Sequence, residues 1–195
     1  LATALGSSAD RPSALAELMG LIINDGVRLP IVRFDELRFA AGTPYEVKLT
    51  AAPATGVRVF PPEVAATLKK ALLDVVENGT GRRARGAVVG PDGEALPIGG
   101  KTGTGDDRAK RFVGDRLVSS TVLNRNAGLV FFIGERYFGT IIAHVKGPQA
   151  ANYNFTSALP SQILKILGPA LAPLFQRTDR YAADDYPRAE QAAVR

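Results

Sequence analysis

The chain has 195 residues, 46% of them hydrophobic, enough for one domain of ordinary size with a core of its own. It has no cysteine and a single histidine, which excludes disulfides and thiolate metal sites and argues against any metal centre. The net charge of +5 is dispersed apart from Arg82-Arg83-Ala84-Arg85 and Arg108-Ala109-Lys110-Arg111. With no tryptophan to stack on bases, solubility explains that charge better than nucleic-acid binding.

Residues 1–11 are small and polar, and Ser8 or Asp10 could cap the helix that follows. Pro12 suits a first turn, and Leu15, Leu18, Met19 and Ile22 recur at helical spacing, so a helix is expected over 12–24, closed by Asn24-Asp25-Gly26. From Val27 to Phe60 the signals are short and β-like, broken by Gly42-Thr43-Pro44 and Pro53, as in a small hairpin or excursion. Pro61-Pro62-Glu63 opens a helix over 62–77 whose apolar face is Val64, Leu68, Ala71, Leu72, Val75 and Val76; Asn78-Gly79 stops it.

The segment 79–94 reads as a loop or frayed strand ends around the turn Gly90-Pro91-Asp92-Gly93. A short strand should follow through Gly99–Gly105, with a solvated turn at Asp106-Asp107-Arg108. Two clear strands are expected at 128–134 and 137–146, joined through Glu135-Arg136, giving an antiparallel meander ended by Gly147-Pro148. A last helix should start at a Thr156 or Ser157 cap and run to about Phe175. Its buried side would be Leu159, Ile163, Ile166 and Leu167, and Pro169 and Pro173 should kink or break it. No segment is long and apolar enough to suggest a membrane span; the run at 128–134 is cut short by Glu135-Arg136. Residues 1–175 are expected to form the folded part and 176–195 a loose tail.

The chemistry centres on Gly99-Gly100-Lys101-Thr102-Gly103-Thr104-Gly105. Glycines let another backbone approach, and an ammonium beside two hydroxyls suits an extended, carboxylate-bearing substrate. A nucleotide-binding loop is excluded by spacing. Its first glycine would fall at Ala95, and Pro97 removes an amide that a phosphate cradle needs.

Lys101-Thr102-Gly103 resembles the Lys-Thr-Gly motif of the penicillin-recognising serine acyltransferases. Gly6-Ser7-Ser8 leading to Pro12-Ser13-Ala14-Leu15-Ala16, then Asn24-Asp25-Gly26-Val27, is similar to what precedes that motif in penicillin-binding transpeptidases. So is Val75-Val76-Glu77-Asn78-Gly79-Thr80-Gly81-Arg82. The chain looks like the C-terminal half of such a transpeptidase domain, with class A, bifunctional proteins the nearest by the last of these stretches. The resemblance implies an α+β fold, an antiparallel sheet flanked by helices, as a partial serine β-lactamase-like transpeptidase fold. It implies cross-linking of peptidoglycan stem peptides through an acyl-serine, inhibition by β-lactams, no cofactor, and a place on the extracytoplasmic face of the inner membrane. Membrane attachment would come only through an N-terminal anchor, and nucleic acid is no partner. By the same resemblance, Lys101 and Thr104 would be catalytic, with Lys101 serving the middle motif's hydroxyl. The Thr104 amide would form half of the oxyanion hole. Thr102 and Thr104 would hold the substrate carboxylate, while Gly103 keeps the strand open.

The nucleophile is missing. None of Ser7, Ser8, Ser13, Ser119, Ser120, Ser157 and Ser161 has a lysine three residues on, and no Ser-x-Asn occurs; Ser8-Ala9-Asp10 is the nearest variant. Thr67-Leu68-Lys69-Lys70 has the spacing but fits a helix surface better. Both motifs lie upstream of this region in the family, and the chain starts at Leu1 rather than methionine. We therefore expect a piece of a longer polypeptide that is inactive alone and needs the missing N-terminal part as partner. The alternative is a non-catalytic peptide-binding or assembly domain that retains the Lys-Thr-Gly strand. His144 reads as a packed or surface strand residue rather than a catalytic base, and Asp106-Asp107 as solvated rather than acid–base partners.

Overall fold

A computed structural model describes residues 11–34, 36–50 and 55–175. Ser7, Ser8, Asp10, Pro53 and the expected tail at 176–195 lie outside them. Helix α1 spans Pro12–Ile23, with Arg11 at its N-cap and no side-chain cap bond. The chain leaves α1 through Asp25 and Gly26, both at positive φ, and the Asn24 side chain donates to the Val27 carbonyl at 2.8 Å. Strand β1 (Val27–Arg28) pairs with β4 (Val57–Arg58), and β2 (Glu36–Phe39) with β3 (Val47–Thr50), two separate small ribbons. The second is exposed along its whole length, which makes it the excursion that Gly42-Thr43-Pro44 suggests.

Helix α2 covers Pro62–Glu77, as its proline start and Asn78-Gly79 stop predict. Its buried face is narrower than the sequence implies. Ala65 and Val76 are buried, with Leu72 and Leu73 packed against the sheet, whereas Val64, Leu68 and Ala71 are exposed. No described element covers that side of the helix. A short 3₁₀ turn at Arg82–Ala84 and an isolated bridge between Val89 and Ala95 then lead into the main sheet.

That sheet is an antiparallel meander of β5 (Ile98–Val113), β6 (Arg116–Ile133) and β7 (Tyr137–Lys146), in that order. The turn expected at Asp106-Asp107-Arg108 does not form. These residues continue β5 because β6 supplies a partner for each charge. The Arg125 guanidinium reaches Asp106 at 3.1 Å, Asn124 donates to Asp107 at 2.8 Å, and Arg108 donates to Ser120 at 2.9 Å. The stretch before Gly128 is likewise the first part of β6.

Alternation of side chains across the pleat divides the core in two. On one face Ile98, Leu129, Phe131 and Ile133 pack with Val88, Leu164 and Phe175; on the other, Phe132 and Val130 meet Met19, Ile22, Leu72 and Leu73. Helix α3 (Ala158–Phe175) lies on the first face, and α1 with the body of α2 on the second. Mixed helix and antiparallel sheet, in three layers, is therefore the fold class.

The expected break in α3 and its expected buried side both fail. It runs unbroken through Pro169 and Pro173. Both prolines are exposed, so the carbonyls they leave unpaired, those of Lys165 and Pro169, open to water. Its buried side is Pro160, Ser161, Leu164, Gly168 and Phe175, while Leu159, Ile166 and Leu167 are exposed. Gly168 fixes that rotation: a Cβ there would lie 1.7 Å from the Ala87 carbonyl oxygen. By length and composition α3 is also apolar enough to cross a membrane, contrary to the expectation for the chain. In the fold it seats one side on the sheet, where Tyr137 donates to the Leu174 carbonyl at 2.9 Å and meets the Phe175 ring edge-on.

Candidate functional site

Strand β5 is an edge strand, and its register decides which backbone groups are open. The Gly134 amide donates to the Pro97 carbonyl at 2.8 Å, so residue 97 is a hydrogen-bonded partner of 134. The pairing proceeds from Ile98 opposite Ile133 to Asp107 opposite Asn124 without a shift. In an antiparallel ladder such pairs alternate. The odd residues of β5 therefore bond to β6, and the N–H and C=O groups of Gly100, Thr102 and Thr104 point to the free edge. The Leu96 amide, on the same side, already pairs outward with the Val88 carbonyl at 2.9 Å.

The motif side chains are arranged around this edge. Lys101 is exposed and donates from Nζ to the Thr102 carbonyl at 2.7 Å, leaving two of its three hydrogens for other acceptors. Thr102 is 8% exposed, and its hydroxyl pairs with that of Thr80 at 2.5 Å. This clamp ties the Asn78–Gly81 loop at the end of α2 to the strand. Thr104 Oγ1 accepts the Ser157 amide at 2.8 Å, which fixes the start of α3 against the strand and leaves the Thr104 O–H to donate. A Cβ at Gly103 would meet nothing within 4 Å. The lack of a side chain there is needed by no neighbour in the described fold.

Beside the two threonines lies an open groove of about 520 Å³, lined by Asn78, Thr80, Arg82, Arg83, Thr156 and Ser157. Arg82 and Arg83 give it positive charge, whereas the Thr80 hydroxyl is taken by Thr102 and the Ser157, Ala158 and Leu159 amides are bonded to Thr104 and Thr156. Farther along β5, Asp106 is held by Arg125, which also donates to Asn154 at 3.2 Å. Asp106 is therefore a paired structural carboxylate and Asp107, though exposed, is bonded to Asn124, so neither is a turn residue. His144 sits exposed on β7, where its Nδ1 pairs with Asn126 Oδ1 across the ladder, level with Gly105 but one strand removed from β5. Thr67 bonds back to the Glu63 carbonyl at 2.8 Å as an exposed helix residue. Among the described residues no group of three or more His, Asp or Glu side chains converges as a metal would require.

The structure thus brings Lys101, Thr102, Gly103 and Thr104 together with two residues that motif reading did not place in the site. Thr80 was visible only as part of a loop resemblance. No spacing in the sequence links Ser157 to Thr104, 53 residues away.

No protein-family model matches the chain, and no curated protein matches it by sequence. Solved structures do. One is the D,D-transpeptidase domain of a peptidoglycan glycosyltransferase from Eggerthella lenta, 22% identical, with a TM-score of 0.51 over 80% of this chain and 30% of that one. Another is penicillin-binding protein 3 from Mycobacterium tuberculosis in complex with aztreonam, 18% identical, with a TM-score of 0.50 over 80% of this chain and 34% of that one. The chain spans about a third of the length of these structures. At this identity the likeness is one of fold: the chain has part of the fold of a penicillin-binding protein's D,D-transpeptidase domain.

Proposed function

We propose that this chain is the C-terminal part of a serine D,D-transpeptidase domain and that β5 is the strand on which its acyl donor is laid. The observation that carries the reading is the open edge at Gly100, Thr102 and Thr104, with Lys101 and the Thr104 hydroxyl beside it. An extended peptide ending in D-alanyl-D-alanine can add to such an edge through backbone hydrogen bonds. Its terminal carboxylate would take the Thr104 O–H, and a β-lactam carboxylate would take the same donor. The Thr102 hydroxyl is committed to Thr80, so in this reading Thr102 serves the site chiefly through its backbone and its clamp on the loop. Gly103 lets the peptide approach.

The chemistry follows from that placement. A serine hydroxyl, supplied by sequence upstream of Leu1, attacks the carbonyl carbon of the penultimate residue. The carbonyl becomes a tetrahedral oxyanion facing the outward Thr104 amide. One such donor contributes about 3 kcal/mol to the transition state. Collapse breaks the peptide bond, the terminal D-alanine leaves with a proton, and the acyl-serine passes to an amine of a second stem peptide or to water. Lys101 supplies the fixed positive charge near the nucleophile's hydroxyl partners. In a β-lactam the same attack opens the ring and nothing leaves, so the acyl-enzyme persists. In this reading the whole protein works at the outer face of the inner membrane, where stem peptides are. The class A assignment rests on the stretch Asn78-Gly79-Thr80-Gly81 alone.

The alternative is a non-catalytic domain that binds peptides or assembly partners along the same edge. It is favoured by one observation, the lack of any Ser-x-x-Lys or Ser-x-Asn in the chain. The coding sequence upstream of Leu1 separates the two. A Ser-x-x-Lys followed by Ser-x-Asn, with labelling of that serine by a fluorescent penicillin in the longer polypeptide, supports the transpeptidase. A longer polypeptide with neither motif, or one that does not label, leaves the binding domain.

A further inference from the structure

Beyond the sheet, β5 and β6 continue as a two-stranded ribbon with no third strand. β7 ends at Lys146, opposite Asn124, so from Arg108 onward β5 pairs only with the part of β6 that runs from Arg116 to Val122. The projecting part is roughly 20 Å long at strand rise. Every residue from Asp107 to Ser119 is exposed. The turn Val113-Gly114-Asp115-Arg116 places Gly114 at φ +58°, the glycine-first pattern of a tight hairpin, which holds the tip in one shape.

The tip combines exposed apolar side chains with a cluster of cations. Phe112, Val113, Leu117 and Val118 are 55%, 64%, 48% and 55% exposed. Around them stand Arg108, Lys110, Arg111 and Arg116 against the single acid Asp115. Arg108 is engaged with Asp106 and Ser120, whereas Lys110, Arg111 and Arg116 make no ion pair among the described residues.

We propose that this ribbon is a membrane-surface probe: its apolar tip enters the headgroup region of an anionic bilayer while its cations meet the lipid phosphates. Charge complementarity selects this occupant. A second copy would set one cationic tip against another. The sequence 176–195 has equal numbers of acids and arginines and offers no complementary charge. A nucleic acid would satisfy the cations, but four exposed aliphatic and aromatic groups with one ring among them make a poor stacking platform and a good wedge for the acyl boundary. Each cation close to an anionic leaflet strengthens partitioning by about fivefold. The contact would orient the sheet relative to the membrane independently of any anchor. It does not depend on the reading of β5 as a substrate strand, because the tip lies beyond Asp107 and uses none of Lys101 to Thr104.

The test is co-sedimentation of the 195-residue chain with vesicles of phosphatidylcholine containing roughly one-third phosphatidylglycerol, beside pure phosphatidylcholine vesicles and a DNA duplex. Binding to the anionic vesicles is expected, with at least a tenfold loss in Lys110→Glu/Arg111→Glu and a several-fold loss in Phe112→Ser. These positions are exposed, so the variants should fold, and matching circular dichroism melts check that they do. A tryptophan reporter, Phe112→Trp, should blue-shift its emission on the anionic vesicles. No vesicle binding, binding unchanged in the variants, an unshifted tryptophan, or stronger retention on the duplex than on the vesicles at physiological salt would each overturn the proposal.

Discussion

Thr104 spends its hydroxyl oxygen as an acceptor for the Ser157 amide and keeps its proton to donate, so one side chain both anchors α3 and offers a hydrogen bond to the open edge. Thr102 is used differently: its hydroxyl is buried against Thr80. Replacing either partner of that clamp should therefore act on stability. Thr102→Val is expected to lower unfolding free energy by about 1 kcal/mol, with the Thr80→Val/Thr102→Val double variant losing less than the sum of the singles. Urea titrations of the three variants check this, and full additivity would show that the clamp carries no coupling. Both threonines follow the same lysine in the sequence, and nothing in the motif distinguishes them. The distinction comes from what the fold sets opposite each one, a loop for Thr102 and a helix start for Thr104. Neither neighbour is near in sequence.

At the scale of elements, helices were legible where their ends carried chemistry. Pro12 and Asn24-Asp25-Gly26 bracket α1, and Pro62 and Asn78-Gly79 bracket α2, in agreement with the structure. Charge was the misleading signal in β5. Asp106-Asp107-Arg108 reads as a solvated turn because the residues that neutralise it, Arg125, Asn124 and Ser120, belong to the next strand. The face of α3 was misread for a related reason. Hydropathy counts Leu159, Ile166 and Leu167 and ignores Gly168, yet the glycine makes the closest approach. Gly168→Ala should thus destabilise the protein by more than the usual overpacking of 1–3 kcal/mol, since a new Cβ would strike backbone and not a mobile side chain. Pro169→Ala should do the opposite. At an exposed site in an otherwise intact helix it restores an amide and relieves a clash, a gain of up to about 3 kcal/mol in helix propensity. Chemical denaturation reads both; a stable Gly168→Ala variant would mean that α3 does not contact the Ala87 carbonyl.

For the molecule as a whole, the antiparallel meander was readable from the strand pattern and its flanking helix layers from the family resemblance, while the long ribbon beyond β7 was not, because its alternation is weak and its residues have no burial to record. In the proposed reading the candidate site is half of one. Its edge strand, clamp and groove are present, and no serine in the chain has a lysine at the required spacing. The 195-residue chain is accordingly expected to form no covalent adduct with a fluorescent penicillin, and intact-protein mass spectrometry showing an acyl-serine on it would refute that. The most direct test of β5 as the substrate strand is the second-order acylation rate of Thr104→Val in the longer polypeptide that carries the nucleophile, measured with a carboxylate-bearing β-lactam beside a thermal melt. Valine keeps the branched shape and the backbone amide and removes the hydroxyl. The account predicts a melt lowered slightly, by about 1 kcal/mol of stability as the Ser157 amide loses its acceptor, and a rate lowered by about 1.5–3 kcal/mol, tenfold or more, with Lys101→Ala lower still; a folded Thr104→Val protein that acylates at the wild-type rate would contradict it.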